Sequence, residues 1–278
     1  MNEFNSVKTM KKNRFYLFTL ILFGLLPVTL KANQVASAKV LSVRGSAQVQ
    51  VGDGEAKPLV EGALLVQGNK VKTEGTGKVQ LVFSNGSELT LKPSTSLILK
   101  ELEQEPFLAD KSYEQLEADP SKSKWLLQLE YGELSGHVKQ LREDSVFNII
   151  TEFGTVEVYG TNFSVGYYYD TSTIQFIFSV ENEDGLVNLS SQFSEDIDFG
   201  SGSAASVAFD PEGEKVTKFI PPGHSVRVMA YALNLDYNAI LERFISNVVM
   251  PAPSLEERKP TFVPIDRPTV SPNTSSGS

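Results

Sequence analysis

The residues best suited to chemistry are few and scattered. There are two histidines, His137 and His224, far apart in the chain. Neither sits in a paired metal spacing such as H-E-x-x-H. His137 follows Gly136 at the end of an alternating run, and His224 stands in a Pro-Pro-Gly turn, so both read as structural or solvated imidazoles. Glu195, Asp196 and Asp198 precede Gly200 and bring three carboxylates into one loop. That loop lacks the full ligand set and closing glutamate of a calcium loop, and it reads as a solvated acidic turn. Gly200-Ser201-Gly202 has no lysine to hold a phosphate, and no G-x-S-x-G elbow occurs anywhere. The absence of cysteine removes thiol catalysis, thiolate zinc sites, disulfides and a lipid-modified N-terminal cysteine. Nothing selects a pair of acids for glycoside cleavage. The expectation is a non-catalytic chain with no metal and no cofactor.

Charge narrows the partners. The chain carries a formal charge of −9. Without the five cations and one anion of residues 1–32, it has 20 basic against 33 acidic residues, or −13. Such a surface repels phosphate backbones, so nucleic acid is not expected as a partner. Tyr167, Tyr168 and Tyr169 are consecutive; in a strand, the first and third share one face and the second takes the other. One face packs in a core, and the other can offer a ring to a protein or a sugar.

These residues are set by an all-β chain. Ala47, Val49 and Val51 alternate, as do Val79, Leu81 and Phe83, then Leu89 and Leu91, and later Ile174, Phe176, Phe178 and Val180. Between Phe83 and Leu89 lies Ser84-Asn85-Gly86-Ser87. A two-residue Asn-Gly turn would set Leu81 opposite Thr90 and mix the faces. A three-residue loop over 84–86 pairs Leu81 with Leu89 and Val79 with Leu91, and predicts a positive φ at Gly86. The stretch Thr151–Val165 contains two short strands either side of Gly160 and Thr161, a bend or close approach that a side chain would block.

The flanks differ. Residues 1–38 read as a secretory signal or N-terminal anchor. A cationic start (Lys8, Lys11, Lys12, Arg14) precedes an apolar run over 15–30, with cleavage expected somewhere in 32–38. The β-domain is expected over 39–230, with polar insertions at 101–124 and 190–213; Phe107 to Ala118 reads as a short amphipathic helix. Over 235–250 the period changes: Tyr237, Ile240, Leu241, Phe244, Ile245 and Val248 share one helical stripe, and Pro251 stops it. The proline- and serine-rich stretch 251–278 has little to bury and reads as a disordered tail.

The order of short motifs resembles the FecR domain family. Val43-x-Gly45 with Ala47-x-Val49 is similar to its opening strands, and Gly68-Asn69-x-Val71-x-Thr73 to its G-D-x-I-x-T element, with asparagine for aspartate. Asn85-Gly86-Ser87-x-Leu89-x-Leu91 resembles D-G-S-x-L-x-L, and Leu129-x-x-Gly132-x-Leu134 resembles L-x-x-G-x-L. Thr151 stands where the family has a threonine before proline, here Glu152. Gly160-Thr161-x-Phe163-x-Val165 matches G-T-x-F-x-V. The resemblance implies an all-β fold of stacked sheets, as a sandwich or short β-solenoid, followed here by one C-terminal helix. It marks Gly45, Gly68, Thr73, Gly86, Gly132, Thr151, Gly160, Thr161 and Phe163 as structural positions. It also implies an exported module, periplasmic or extracellular, with residues 15–30 as an alternative inner-membrane anchor, which acts by protein contact. The roughly 14 residues ahead of the apolar run are too few for a folded domain, so the family's cytoplasmic anti-sigma part is not expected. The partner classes implied are an envelope or outer-membrane protein, with a protein-binding sensor or scaffold role; a cell-wall glycan; or, for a purely structural module, a secreted assembly.

Overall fold

Alternating apolar residues broken by glycine and asparagine turns dictate a chain of strands. The computed structural model describes residues 36–108 and 111–231. Over these the chain forms β1 (Ala38–Arg44), β2 (Ala47–Val51), β3 (Lys57–Pro58), β4 (Leu64–Leu65), β5 (Asn69–Thr73) and β6 (Lys78–Phe83). There follow β7 (Glu88–Leu91), β8 (Ser96–Gln104), β9 (Ser123–His137), β10 (Val146–Thr151), β11 (Gly154–Tyr159) and β12 (Asn162–Asp170). The last are β13 (Gln175–Asn182), β14 (Leu186–Gln192), β15 (Ala204–Ala208), β16 (Lys215–Ile220) and β17 (His224–Tyr231).

The strands assemble into two open sheets. The front sheet runs β4-β1-β6-β7-β9-β12-β13-β17-β15. The back sheet runs β3-β2-β5-β8-β9-β10-β11-β14-β16. Pairing is antiparallel except between β9 and β10 and between β15 and β17. This is a pair of facing sheets and not the parallel coils of a solenoid. No helix among the described residues is long and apolar enough to cross a membrane.

One strand belongs to both sheets. The first part of β9 pairs with β8 and β10 in the back sheet, and its last part, from Gly132, pairs with β7 and β12 in the front sheet. The corner is Gly132, with φ +97°. A Cβ there would lie 2.5 Å from the Thr95 Cα, so only glycine lets β9 turn past that backbone. Between the sheets lies one apolar core. Phe83 of the front sheet meets Trp125 and Phe147 of the back sheet edge-on, at centroid distances of 5.2 and 5.6 Å. Each such fully buried ring stabilises the fold by roughly 1.5–3 kcal/mol relative to exposure.

The β6–β7 hairpin has the register the alternation requires. Val79 faces Leu91, Leu81 faces Leu89, the Phe83 amide donates to Ser87 carbonyl at 2.8 Å, and Gly86 has φ +85°. The polar stretches are less irregular than their composition implies. β8 extends to Gln104, and β15 lies inside 190–213. The amphipathic helix read over 107–118 does not form: its regular structure there is one 3-10 turn at Tyr113–Gln115. Pro106 and Pro120 confine that segment, and Leu116 instead seals the hairpin tip, within 2.8 Å of where a Cβ on Gly86 would sit. The signal read over 1–38 lies outside the described residues up to 35, as do the helix at 235–250 and the tail at 251–278.

Candidate functional site

The period of two that builds the core also writes the outer face of the front sheet. Three rows cross β9, β12, β13, β17 and β15. The first is Ser135, Ser164, Glu181, Ser225 and Ala204; the second is Glu133, Gly166, Ser179, Arg227 and Ser206. The third, crossing β12 to β15, is Tyr168, Ile177, Met229 and Ala208. Serine, glycine and alanine fill most of the first two rows, with Glu133, Glu181 and Arg227 among them, and the third row is apolar. The result is a groove of about 310 Å³ lined by Glu133, Ser164, Ser179, Glu181, Ser206 and Arg227 among others. Gly166 lies beneath this face, where a Cβ would come within 2.6 Å of the Ser179 hydroxyl and 3.4 Å of the Tyr168 ring.

The groove's charges are not equivalent. Glu133 is ion-paired with Lys92. Glu181 accepts a hydrogen bond from the Ser164 hydroxyl at 3.2 Å. Arg227 is exposed and has no ion-pair or hydrogen-bond partner among the described residues. An exposed guanidinium beside serine hydroxyls suits a ligand that brings a carboxylate and backbone polar groups. The third row is apolar. Ile177 is only 5% exposed although it points away from the core, and Tyr168 beside it is 37% exposed.

A second cavity, of about 330 Å³, lies where β8, β9 and β10 end, lined by Glu103, Glu105, Lys122, Lys124 and Asp144 among others. Its two lysines are paired within the chain: Lys124 meets Glu101 at 2.8 Å, and Lys122 meets Asp144 at 3.6 Å. Behind it Asp119 is buried, its carboxylate accepting from the Ser123 hydroxyl at 2.6 Å. Burial pushes the Asp119 carboxyl above its usual range, against the hydrogen bonds that lower it. This is a supporting cluster for the 119–123 loop.

The residues singled out from sequence fall at turns and in the core and are not gathered at the groove. Gly45 and Gly68 sit at turns, with φ +67° and +84°. Thr73 ends β5, and its hydroxyl donates to the Lys92 carbonyl at 2.6 Å and accepts from the Thr95 amide at 2.9 Å. Gly86 and Gly132 hold the hairpin and the corner. Thr151 closes the β10–β11 turn by accepting from the Phe153 amide at 3.2 Å. Phe163 is core. Thr161 donates toward Asn182 and Asp184, both at 3.0 Å, while the Asn162 amide donates to Asp184 at 2.7 Å. The Asn162 amide first, and then the Thr161 hydroxyl, hold the Asp184 carboxyl below its usual range. His137 Nδ1 lies 3.0 Å from Asn162 Oδ1, and His224 Nδ1 donates to the Pro222 carbonyl at 2.9 Å. Asp196 pairs with Lys218, and Asp198 accepts from the Gly200 amide. Among the described residues no group of acids and histidines is arranged to hold a metal ion.

The groove was not visible as a motif. Its signal is the small outward residue in four strands, Ser164 and Gly166, Ser179, Ser206, and Ser225, and only the strand order brings these together.

Comparison with known proteins bears on the same strands. Residues 69–180, from β5 through most of β13, match the family model described as FecR protein. Over that stretch the chain is similar to the FecR family. The matched stretch includes the β9 corner and the β12–β13 half of the groove, while β15 and β17 complete the groove from beyond it. No curated protein matches the chain. Two crystal structures of a candidate anti-sigma factor from Parabacteroides distasonis ATCC 8503, at 1.65 and 2.50 Å, are similar to it. Their identities are 18% and 16% and their TM-scores 0.35 and 0.34. In both cases the match covers 55% of this chain and 60% of the other, so the chain spans less than two thirds of their length.

Proposed function

We propose that the chain is a non-catalytic, exported binding module of the cell envelope, a sensor or scaffold whose FecR-like domain takes a protein segment on the outer face of the front sheet. The observation that carries this reading is the groove, lined by Ser164, Ser179, Ser206 and Ser225, with Arg227 exposed in its lining and without an ion-pair partner among the described residues. Export is supported by the cationic and apolar start of the sequence. The partner presents a carboxylate to Arg227 and backbone groups to Ser164, Ser179 and Ser206. Glu133 and Glu181 disfavour a strongly acidic segment.

The exposed Tyr168 ring at the groove's edge favours one second reading, a cell-wall glycan stacked on the tyrosine. A pull-down from envelope extract with the tagged full chain separates the two. The protein reading expects a retained protein that Arg227→Glu and Ser179→Trp both lose, and that added cell-wall oligosaccharide does not release. Release by the oligosaccharide supports the glycan reading. Retention unchanged by both substitutions removes the groove from either.

A further inference from the structure

Four residues of the groove form a square with two kinds of corner. Strand β13 places Ser179 and Glu181 on the outer face, and β17 places Ser225 and Arg227 beside them, with Glu181 opposite Ser225 and Ser179 opposite Arg227. The two charges therefore occupy one diagonal of the square and the two hydroxyls the other. Diagonal neighbours on facing strands stand about 7–8 Å apart, within reach of long side chains. Yet Glu181 and Arg227 do not pair with each other. Glu181 is held on the β12 side, where it accepts from the Ser164 hydroxyl at 3.2 Å. Arg227 is exposed and has no ion-pair partner among the described residues. All four residues line the same groove.

The groove's other acid is matched already. Glu133 is ion-paired with Lys92, and Gly166 and Ser179 stand between it and Arg227 on their row. What remains is one anion and one cation, held apart over serine hydroxyls. The groove's volume of about 310 Å³ is at the small end of the range for pockets that take small molecules. A ligand with one charge would satisfy one corner and leave the other unmatched. A ligand with two opposite charges close together satisfies both. A free α-amino acid is such a molecule, with its ammonium and carboxylate on one carbon. The end of a protein chain brings only one of the two.

We propose that this square binds the zwitterionic head of a free α-amino acid. Arg227 takes the carboxylate in a bidentate pair, Glu181 takes the ammonium, and the Ser179 and Ser225 hydroxyls hydrogen-bond to the head between them. Val180, Ala205 and Val226, also in the lining, are buried toward the core, so the site selects the head and not an apolar side chain. For its consequence this rests on the groove reading: an amino acid and a protein segment both need Arg227, so the free amino acid lowers the groove's affinity for its partner. The binding itself requires no partner.

Equilibrium dialysis of the purified full chain against radiolabelled glycine tests this. Acetate and methylamine are competitors with one charge each, and triglycine is one whose two charges lie far apart. Saturable binding of glycine is expected, with each competitor at least about tenfold weaker because it leaves one corner unmatched. Arg227→Gln should abolish the binding, and Glu181→Gln should reduce glycine to the strength of acetate. Lys124→Gln, at the second cavity, should leave it unchanged. Absence of saturable glycine binding overturns the proposal. So does acetate or triglycine that competes as well as glycine, or binding that survives both groove substitutions. No protein partner is present, so failure here leaves the pull-down result standing, and failure of the pull-down leaves glycine binding standing.

Discussion

Two single residues show how closely this fold depends on local chemistry. Gly160 has φ +72°, and a Cβ there would lie 3.2 Å from the Gln140 Cα, a backbone atom with little room to move. Gly160→Val therefore meets two penalties, a left-handed backbone closed to β-branched residues and a backbone contact. Together these predict a loss of about 2–4 kcal/mol. Urea unfolding checks this; an unchanged midpoint would show that the bend is ordinary strand. Asp119 tests the opposite kind of effect. Burial raises its folded pKa above the unfolded value of about 3.9. A raised carboxyl favours folding while it is protonated, and that advantage is lost as pH rises from the unfolded value through the folded one. At neutral pH the buried charge is a cost. Asp119→Asn keeps an acceptor for the Ser123 hydroxyl and carries no charge. The variant should therefore gain stability relative to the native chain on going from pH 3 to pH 7. A stability difference flat across that range would show that Asp119 is solvated in the folded state.

At the scale of elements, what the sequence makes legible is what is encoded locally. The β6–β7 register follows from Val79, Leu81, Leu89 and Leu91, because a one-residue slip would turn one strand's pair to solvent while the other pair stayed in the core. The opposed faces of Tyr167 and Tyr168 follow from the same period, with Tyr167 fully buried and Tyr168 partly exposed. The helix expected at 107–118 fails for a related reason. Between two prolines it is too short to hold itself, and what anchors the segment is tertiary: the Tyr113 hydroxyl lies 3.2 Å from the Ser37 hydroxyl, and Glu114 meets Lys39 at 3.0 Å. Strand order is the part that pattern cannot supply. β1 pairs with β6 and β11 with β14, and β15 joins β17 in parallel across the intervening β16. No local period encodes these choices. The groove belongs to this class, because its serines come from β12, β13, β15 and β17, and each reads alone as a solvated strand position. Gly132 lies between the two classes: its place in L-x-x-G-x-L is visible, but the corner it makes is known only from the partners of β9 on either side.

At the scale of the molecule, that corner has a thermodynamic consequence. β9 is a central strand of both sheets, paired with β8 and β10 before Gly132 and with β7 and β12 after it. The two sheets also face one another across a single core, with Phe83 of one packed on Trp125 and Phe147 of the other. Unfolding the front sheet alone would strip partners from the end of β9 and expose one wall of that core. Unfolding the back sheet alone would do the same from the other side. Either half-melted state loses apolar burial worth many kcal/mol while gaining the chain entropy of only half the domain, so neither should be populated. Trp125, the one tryptophan of the chain, lies fully buried on the back-sheet part of β9 and reports that half. Far-UV circular dichroism reports the strands of both. In urea the two signals should trace one transition with a common midpoint and slope. A tryptophan midpoint displaced from the dichroism midpoint would mean that the sheets melt separately, and that Gly132 is a hinge between two stabilities and not a corner within one.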